Sequence, residues 1–409
     1  MRIVLGVGLA LAMTSTLHAE PLTFDEAIDR AAREAPSLRA SEAGVKAARA
    51  QAIAADRLPD PTLELGIRDF PVTGPDAGKL NSDDFTMRTI GFTQEFTNPA
   101  KRRARASRAG AEIKIAEAGL AVEAQTVRLE TALAWIDLYY AKRRLDQLKL
   151  LDRSLGDLQS TVAARLASGA ARPSQALEPD QLRAAVNDRR SELEAEVAKS
   201  RARLVRYTDD AQADAVGDPP PPEILLEHLT GGIASLPRLR ALEAQARAAD
   251  AEIGLARADK RPDWRVSATY GRREPNFGDL VSVGVSFDLP LFSKRRQEPK
   301  IAARASEAER VGFDRLAAER EISATLTADL ADHEMHRQRL TNARKVLVPL
   351  AKRRGELDQA SYAAGTIDLG SALLSTLALA EAEVDALARE AEVARDVVRI
   401  NFTYGEERP

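Results

Sequence analysis

The sequence predicts a mainly α-helical protein of long antiparallel coiled-coil helices, interrupted by a pair of β-hairpins of membrane type. Three observations predict it. From Ala100 to Gly169 the chain runs roughly seventy residues without a proline, and its mostly apolar positions step by three and four. They are Val122, Thr126, Leu129, Leu133, Ile136 and Tyr140, then Leu148, Leu151, Leu155, Leu158 and Val162. At about 1.5 Å per residue this helix would be on the order of 100 Å long, too long for a compact domain. Elsewhere short segments alternate apolar and small polar residues with period two, the pattern of strands. Finally, the whole arrangement occurs twice.

Composition agrees with extended helical packing. Of 409 residues 30% are charged and only 4% aromatic, and the formal net charge of -3 gives no reason to expect nucleic acid. The absence of cysteine excludes disulfides, thiolate metal sites, cysteine nucleophiles and lipid attachment at cysteine. At the start, Met1-Arg2 precedes the apolar run Ile3 to Met13, which is too short to span a bilayer as a helix. Residues 1–19 read as a signal peptide cut after Ala19, the alternative being a buried N-terminal helix. Later windows hold no stretch of ~18 apolar residues, so an exported chain that enters a membrane must do so as strands.

The repeat is visible residue by residue. Ala35-Pro36-Ser37-Leu38-Arg39-Ala40-Ser41-Glu42-Ala43 returns as Leu236-Pro237-Arg238-Leu239-Arg240-Ala241-Leu242-Glu243-Ala244, and Pro61 falls on Pro262 at the same offset. Gly91 to Phe96 with Lys101-Arg102-Arg103 matches Gly284 to Leu289 with Lys294-Arg295-Arg296, and Arg165 to Gly169 matches Ser361 to Gly365. The chain therefore divides into a first repeat, 20–210, a proline-rich linker, 211–222, and a second repeat, 223–409.

Each repeat begins with a helix, about Thr23–Arg57 and Pro222–Lys260, that runs to a proline. Pro61 and Pro262 mark helix-to-strand junctions, because proline removes a donor and biases the preceding residue to extended geometry. A hairpin follows, about 62–97 and 263–292, and ends at Pro99 and Pro290. Leu63, Leu65, Ile67, Ile90, Phe92 and Phe96 alternate with small or polar residues, as do Val281, Val283, Val285, Phe287 and Leu289. A lipid-facing barrel strand and a half-buried soluble strand share this pattern. The rest of the chain has too little apolar surface to cover four such strands, which favours lipid. Glu95, Ser286 and Asp288 then face a barrel lumen. Trp264, Tyr270, Phe70 and Phe85 fall near strand ends and suit an interfacial belt. After the hairpins come the long helices, the second from Lys300 to Ala364 with Pro349 expected to bend or break it. Gly169 and Gly365 reverse them, and helices at about Ser174–Tyr207 and Gly370–Phe402 return antiparallel.

The duplicated Pro61/Pro262, Gly91/Gly284, Lys101/Lys294 and Arg165–Gly169/Ser361–Gly365 resemble the TolC-like outer-membrane efflux channels, in particular the branch serving heavy-metal exporters. The resemblance covers essentially the whole chain after residue 19. It implies a homotrimer with one twelve-stranded barrel in outer-membrane lipid and a helical tunnel in the periplasm. It also implies a passive exit duct, not an enzyme and without cofactor, that serves a periplasmic adaptor and an inner-membrane RND-type pump. The cargo it implies is divalent heavy-metal ions, with organic drugs as the alternative. Several relatives carry a lipidated N-terminal cysteine, which this chain lacks. Four strands cannot close a barrel alone, and an open edge in lipid leaves unsatisfied backbone groups, so physics also asks for several copies. A periplasmic coiled-coil adaptor or scaffold is the competing class.

Two further sets of residues are candidates for function. His333 and His336, three apart on a helix, either hold a metal or lie on a solvated face. Arg172 and Asp368 sit three residues past the reversing glycines with opposite charge, and with Tyr362 they form a candidate periplasmic gate or are simply polar turn residues.

Overall fold

The repeated X-Pro junctions decide where the helices begin. The computed structural model describes residues 21–405 except 81, 168–173, 175–176, 212, 225–228, 230–231 and 274–275, with backbone alone for 150–167. The expected signal peptide, Gly169 and Arg172 lie outside the described residues. Helix α1 (Phe24–Glu34) opens with a capping box. The Thr23 side chain accepts from the Glu26 amide, and the Glu26 carboxylate accepts from the Thr23 amide at 2.9 Å. It does not continue to Arg57. Ala35 takes ψ 121°, the extended geometry that a following proline imposes, and a new helix α2 (Pro36–Ala54) starts at Pro36. The second repeat does the same: Leu236 has ψ 137° and α5 (Pro237–Ala258) starts at Pro237, not at Pro222.

The remaining elements are, in order, β2 (Thr62–Arg68), β3 (Met87–Phe96), α3 (Pro99–Ala167) and α4 (Glu178–Thr208) in the first repeat. After α5 come β5 (Trp264–Arg272), β6 (Leu280–Phe287), α6 (Ser293–Asn342), α7 (Val348–Ala363) and α8 (Leu369–Tyr404). Two short strands, β1 (Pro21–Leu22) and β4 (Asp214–Ala215), pair in parallel. β4 lies inside the segment expected to be a linker, and its Ala215, with Ala213, is buried in a core.

Pro349 does not end the second long helix. The chain stays helical through the five π-helical residues Ala343–Leu347 that join α6 to α7. A proline cannot donate to the carbonyl four residues back and its ring crowds that carbonyl, and a wider turn just before it relieves both. Helix α6 also begins earlier than expected, at Ser293, with Pro299 inside it.

The chain falls into two compact units, each assembled from both repeats. One comprises 1–39, 124–232 and 324–409. Its larger core sets Trp135, Ile136 and Leu138 of α3 against Phe24, Leu22, Leu204 of α4 and Val398 of α8. Phe24 meets Trp135 edge-on at 5.5 Å, and the Trp135 indole donates to the Leu22 carbonyl at 2.8 Å. Each large side chain fully buried here contributes about 1.5–3 kcal/mol relative to exposure. Asp137 of α3 ties three helices by accepting from Arg395 of α8 and Arg203 of α4. A second cluster joins Leu148, Val186 and Leu193 to Tyr362, Leu369 and Leu373. The other unit, 40–123 and 233–323, holds the sheet.

Candidate functional site

The sheet is four-stranded and antiparallel, in the order β2-β3-β5-β6. Register fixes which side chains share a face. Leu65 lies opposite Ile90, Ile90 opposite Tyr270, and Tyr270 opposite Val281; Leu63, Phe92, Ala268 and Val283 form the next such row. Every one of these belongs to one face, together with Ile67, Val266, Val285 and Phe287. That face is uncovered: Leu65 is 74% exposed and Val283 72%. The opposite face carries Glu64, Gly91, Thr269 and Ser282 in one row and Thr62, Thr93, Ser267 and Gly284 in another.

Glycine on the polar face has a steric reason. A Cβ on Gly284 would stand 3.0 Å from the Ser267 hydroxyl, and one on Gly91 3.2 Å from that of Thr269. At the helical end of this face Arg265 of β5 pairs with Glu95 of β3 at 3.4 Å and with Asp288, just after β6, at 3.1 Å. Sequence reasoning selected Glu95, Ser286 and Asp288 but missed Arg265. Its odd-numbered place beside Ser267 and Thr269 was the available signal. Tyr270 is on the apolar face near the far end of β5, and Trp264 stacks on Phe96 at 4.1 Å at the near end.

The four junction prolines stand where the elements change. Pro61 and Pro262 lie just before β2 and β5, Pro99 is the first residue of α3, and Pro290 lies between β6 and α6. Asn98 caps α3 by accepting from the Ala100 amide at 2.9 Å.

At the second reversal Gly365 has φ +76°, a left-handed geometry that suits glycine. Asp368 is the N-cap of α8, its carboxylate accepting from the Ser371 amide at 2.8 Å. Tyr362 is buried in the smaller cluster. Among the described residues, one charge near Asp368 is a carboxylate on α4, Glu178. Its pKa is raised, first by burial and then by Asp368, and one of its buried oxygens has no hydrogen-bond partner.

The histidines are not on a solvated face. His333 is 9% exposed, and burial pushes its pKa down and keeps the ring neutral. His336 lies 2.7 Å through Nδ1 from a carboxylate oxygen of Asp396, itself buried in α8. Among the described residues no three histidine or carboxylate groups converge as placed on one metal-binding point. No helix among them is long and apolar enough to cross a membrane.

No curated protein sequence matches the chain. Residues 233–406 match the family described as outer membrane efflux protein. Among solved structures, the CmeC outer membrane channel of Campylobacter jejuni superposes with a TM-score of 0.77 at 14% identity, over 93% of this chain and 85% of that one. A membrane protein from Pseudomonas aeruginosa does so with 0.78 at 17% identity, over 93% and 92%. CusC, crystallised in a study of transmembrane channel formation, gives 0.74 at 14%, over 94% and 92%. The resemblance drawn from the duplicated prolines and glycines is borne out. Residues 233–406 are similar in sequence to the outer membrane efflux protein family, and the chain shares the fold of the solved outer-membrane channels.

Proposed function

We propose that the protein is the outer-membrane exit duct of a tripartite efflux system. Three copies would close one barrel of twelve strands, four from each chain, and conduct cargo passively from a periplasmic adaptor and an RND-type pump to the exterior. The observation that carries this reading is the sheet, which leaves the apolar rows of one face bare and, among the described residues, one unpaired edge on each of β2 and β6. Lipid accommodates such a face, but it does not tolerate such edges.

The internal repeat supports a way to close them. β6 is the counterpart of β3, and β2 the counterpart of β5. The β3–β5 pairing within a chain is therefore the template for β6 of one copy against β2 of the next. In that arrangement Leu63, Leu65 and Ile67 continue the apolar row of Val283, Val285 and Phe287. The gate reading rests on Asp368 and Tyr362 near the second reversal, with Arg172 as the expected partner on a neighbouring hairpin. Divalent metal ions are the cargo we infer, supported by the charge of the polar face, where Glu64, Glu95 and Asp288 outnumber Arg68 and Arg265.

The native sequence has no cysteine, so crosslinking needs no background removal. Ser286→Cys combined with a cysteine at Thr62, Glu64 or Gly66 in turn, oxidised in outer membranes, should give covalent dimers and trimers for at least one partner position. A chain that is monomeric and soluble without detergent would instead be an adaptor or scaffold.

A further inference from the structure

The apolar rows of the sheet do not stop where β6 ends. Leu289 keeps the alternation of Val285 and Phe287, and Leu291 and Phe292 follow in the turn before α6, so that three large apolar side chains stand 67–75% exposed. Lys294, Arg295 and Arg296 come next, in the first turn of α6, and all three are exposed. These cations are not used within the protein. Asp288 is held by Arg265 at 3.1 Å and Glu298 by Lys260, and among the described residues no carboxylate is within ion-pair distance of the three. In the first repeat Lys101, the counterpart of Lys294, gives its ammonium to Asp263 at 2.6 Å. Nor do the three cations serve the helix, because positive charge in a first turn is opposed by the helix dipole and no acid offsets it there.

An acidic protein segment and an anionic lipid surface are the partners that such charge attracts. The bare apolar side chains decide between them. They continue the bare rows of the sheet without a break, and apolar side chains that enter an acyl layer beside long cationic stems that reach back to the phosphates form an interfacial anchor. A guanidinium also matches a phosphate geometrically, through two parallel N–H bonds.

We propose that residues 289–296 are a docking surface for anionic phospholipid at the helical end of the sheet. Leu289, Leu291 and Phe292 enter the acyl layer, and Lys294, Arg295 and Arg296 hold the headgroup phosphate. This deepens the duct reading and rests on it, because it needs the bare face to meet a bilayer. The contact is lopsided between the repeats: the start of α3 offers less, since Lys101 is already paired.

The chain's two tryptophans supply the readout. Trp264, 38% exposed, lies opposite Phe287 at this end of the sheet, whereas Trp135 is fully buried in the other compact unit. The full-length protein in detergent is titrated with phosphatidylglycerol or phosphatidylcholine carrying brominated acyl chains, which quench tryptophan on contact. Phosphatidylglycerol should quench at a concentration lower by roughly tenfold or more, since each nearby Lys or Arg strengthens anionic-lipid binding several-fold. High salt should erase the difference. The Lys294→Gln/Arg295→Gln/Arg296→Gln variant should lose the preference while both lipids still quench it. The Lys345→Gln/Lys352→Gln/Arg353→Gln variant, which removes as much exposed charge elsewhere in the second repeat, should keep it. Equal quenching of the native protein by both lipids overturns the docking surface and leaves the duct standing, and so does a preference that survives the first variant or that inorganic phosphate abolishes where chloride of equal ionic strength does not. An absence of quenching by either lipid would take down the lipid-facing sheet as well as the docking surface.

Discussion

Lys101 reaches from the start of the first repeat's long helix to Asp263 at the foot of the second repeat's hairpin, with 2.6 Å between ammonium and carboxylate. Each side chain is only 12% exposed, and the same carboxylate accepts from the Asn98 amide at 2.7 Å. One acid thus fastens the end of β3 to the beginning of β5. Lys101→Met should leave a largely buried carboxylate without its cation, at a cost of about 1–3 kcal/mol. Chemical denaturation of the refolded protein should show this as a lower midpoint, and Lys101→Met with Asp263→Asn should recover part of it.

The two faces of the sheet make opposite demands on arginine. Val283→Arg places a charge on the bare apolar face and should cost roughly 2–4 kcal/mol near a bilayer midplane. Ser286→Arg adds the same charge to the polar face and should leave assembly intact while shifting ion selectivity. Heat-resistant mobility on gels and reversal potentials in planar bilayers separate these outcomes. Equal tolerance of both arginines would mean that the apolar face does not meet lipid.

Glu178 gives a pH signature. Its pKa in the folded protein is raised, so its contribution is fully present below the unfolded value of about 4.3 and is lost as pH rises through the folded value. Glu178→Gln removes the charge that burial and Asp368 oppose. Thermal unfolding of the variant should therefore occur above the native midpoint near pH 7, and the two midpoints should merge near pH 4. A variant less stable at neutral pH would show that the carboxylate is needed for a bond rather than tolerated.

At the second reversal, Asp368→Ala removes the N-cap of α8, an interaction worth typically ~1 kcal/mol. If the mouth is a gate, Asp368→Ala and Arg172→Ala should both raise the open fraction in bilayer recordings. A rise only in Asp368→Ala would trace the effect to the lost cap, whereas the paired gate requires both.

Much of this was legible in the residues, because period and punctuation are local properties. The strands could be read from alternation at Val281 to Leu289, and the long helix from the spacing of Val122 to Leu148. Helix starts were missed at Pro36 and Pro237 even though the repeated X-Pro pairs were in view. The apolar period runs across each break, and only the extended geometry of Ala35 and Leu236 stops the helix. The pairing of β1 with β4 joins residues far apart in sequence and leaves no local pattern. His333 and His336 were misjudged for a related reason. Their burial comes from α8, some sixty residues later, whose Asp396 looks in sequence like any solvated acid.

The π-helical residues before Pro349 act as a phase shifter. An α-helix turns about 100° per residue, so one residue taken up in a wider turn re-aims every side chain after it by roughly that angle. Spacing counted across Ala343–Leu347 therefore misleads. Deleting a single residue within this stretch should do more damage than replacing any one of them. It would rotate Gly355 and Tyr362 away from α8, where Gly355 lies close enough to the Ser375 carbonyl that its missing Cβ would stand 3.8 Å from it.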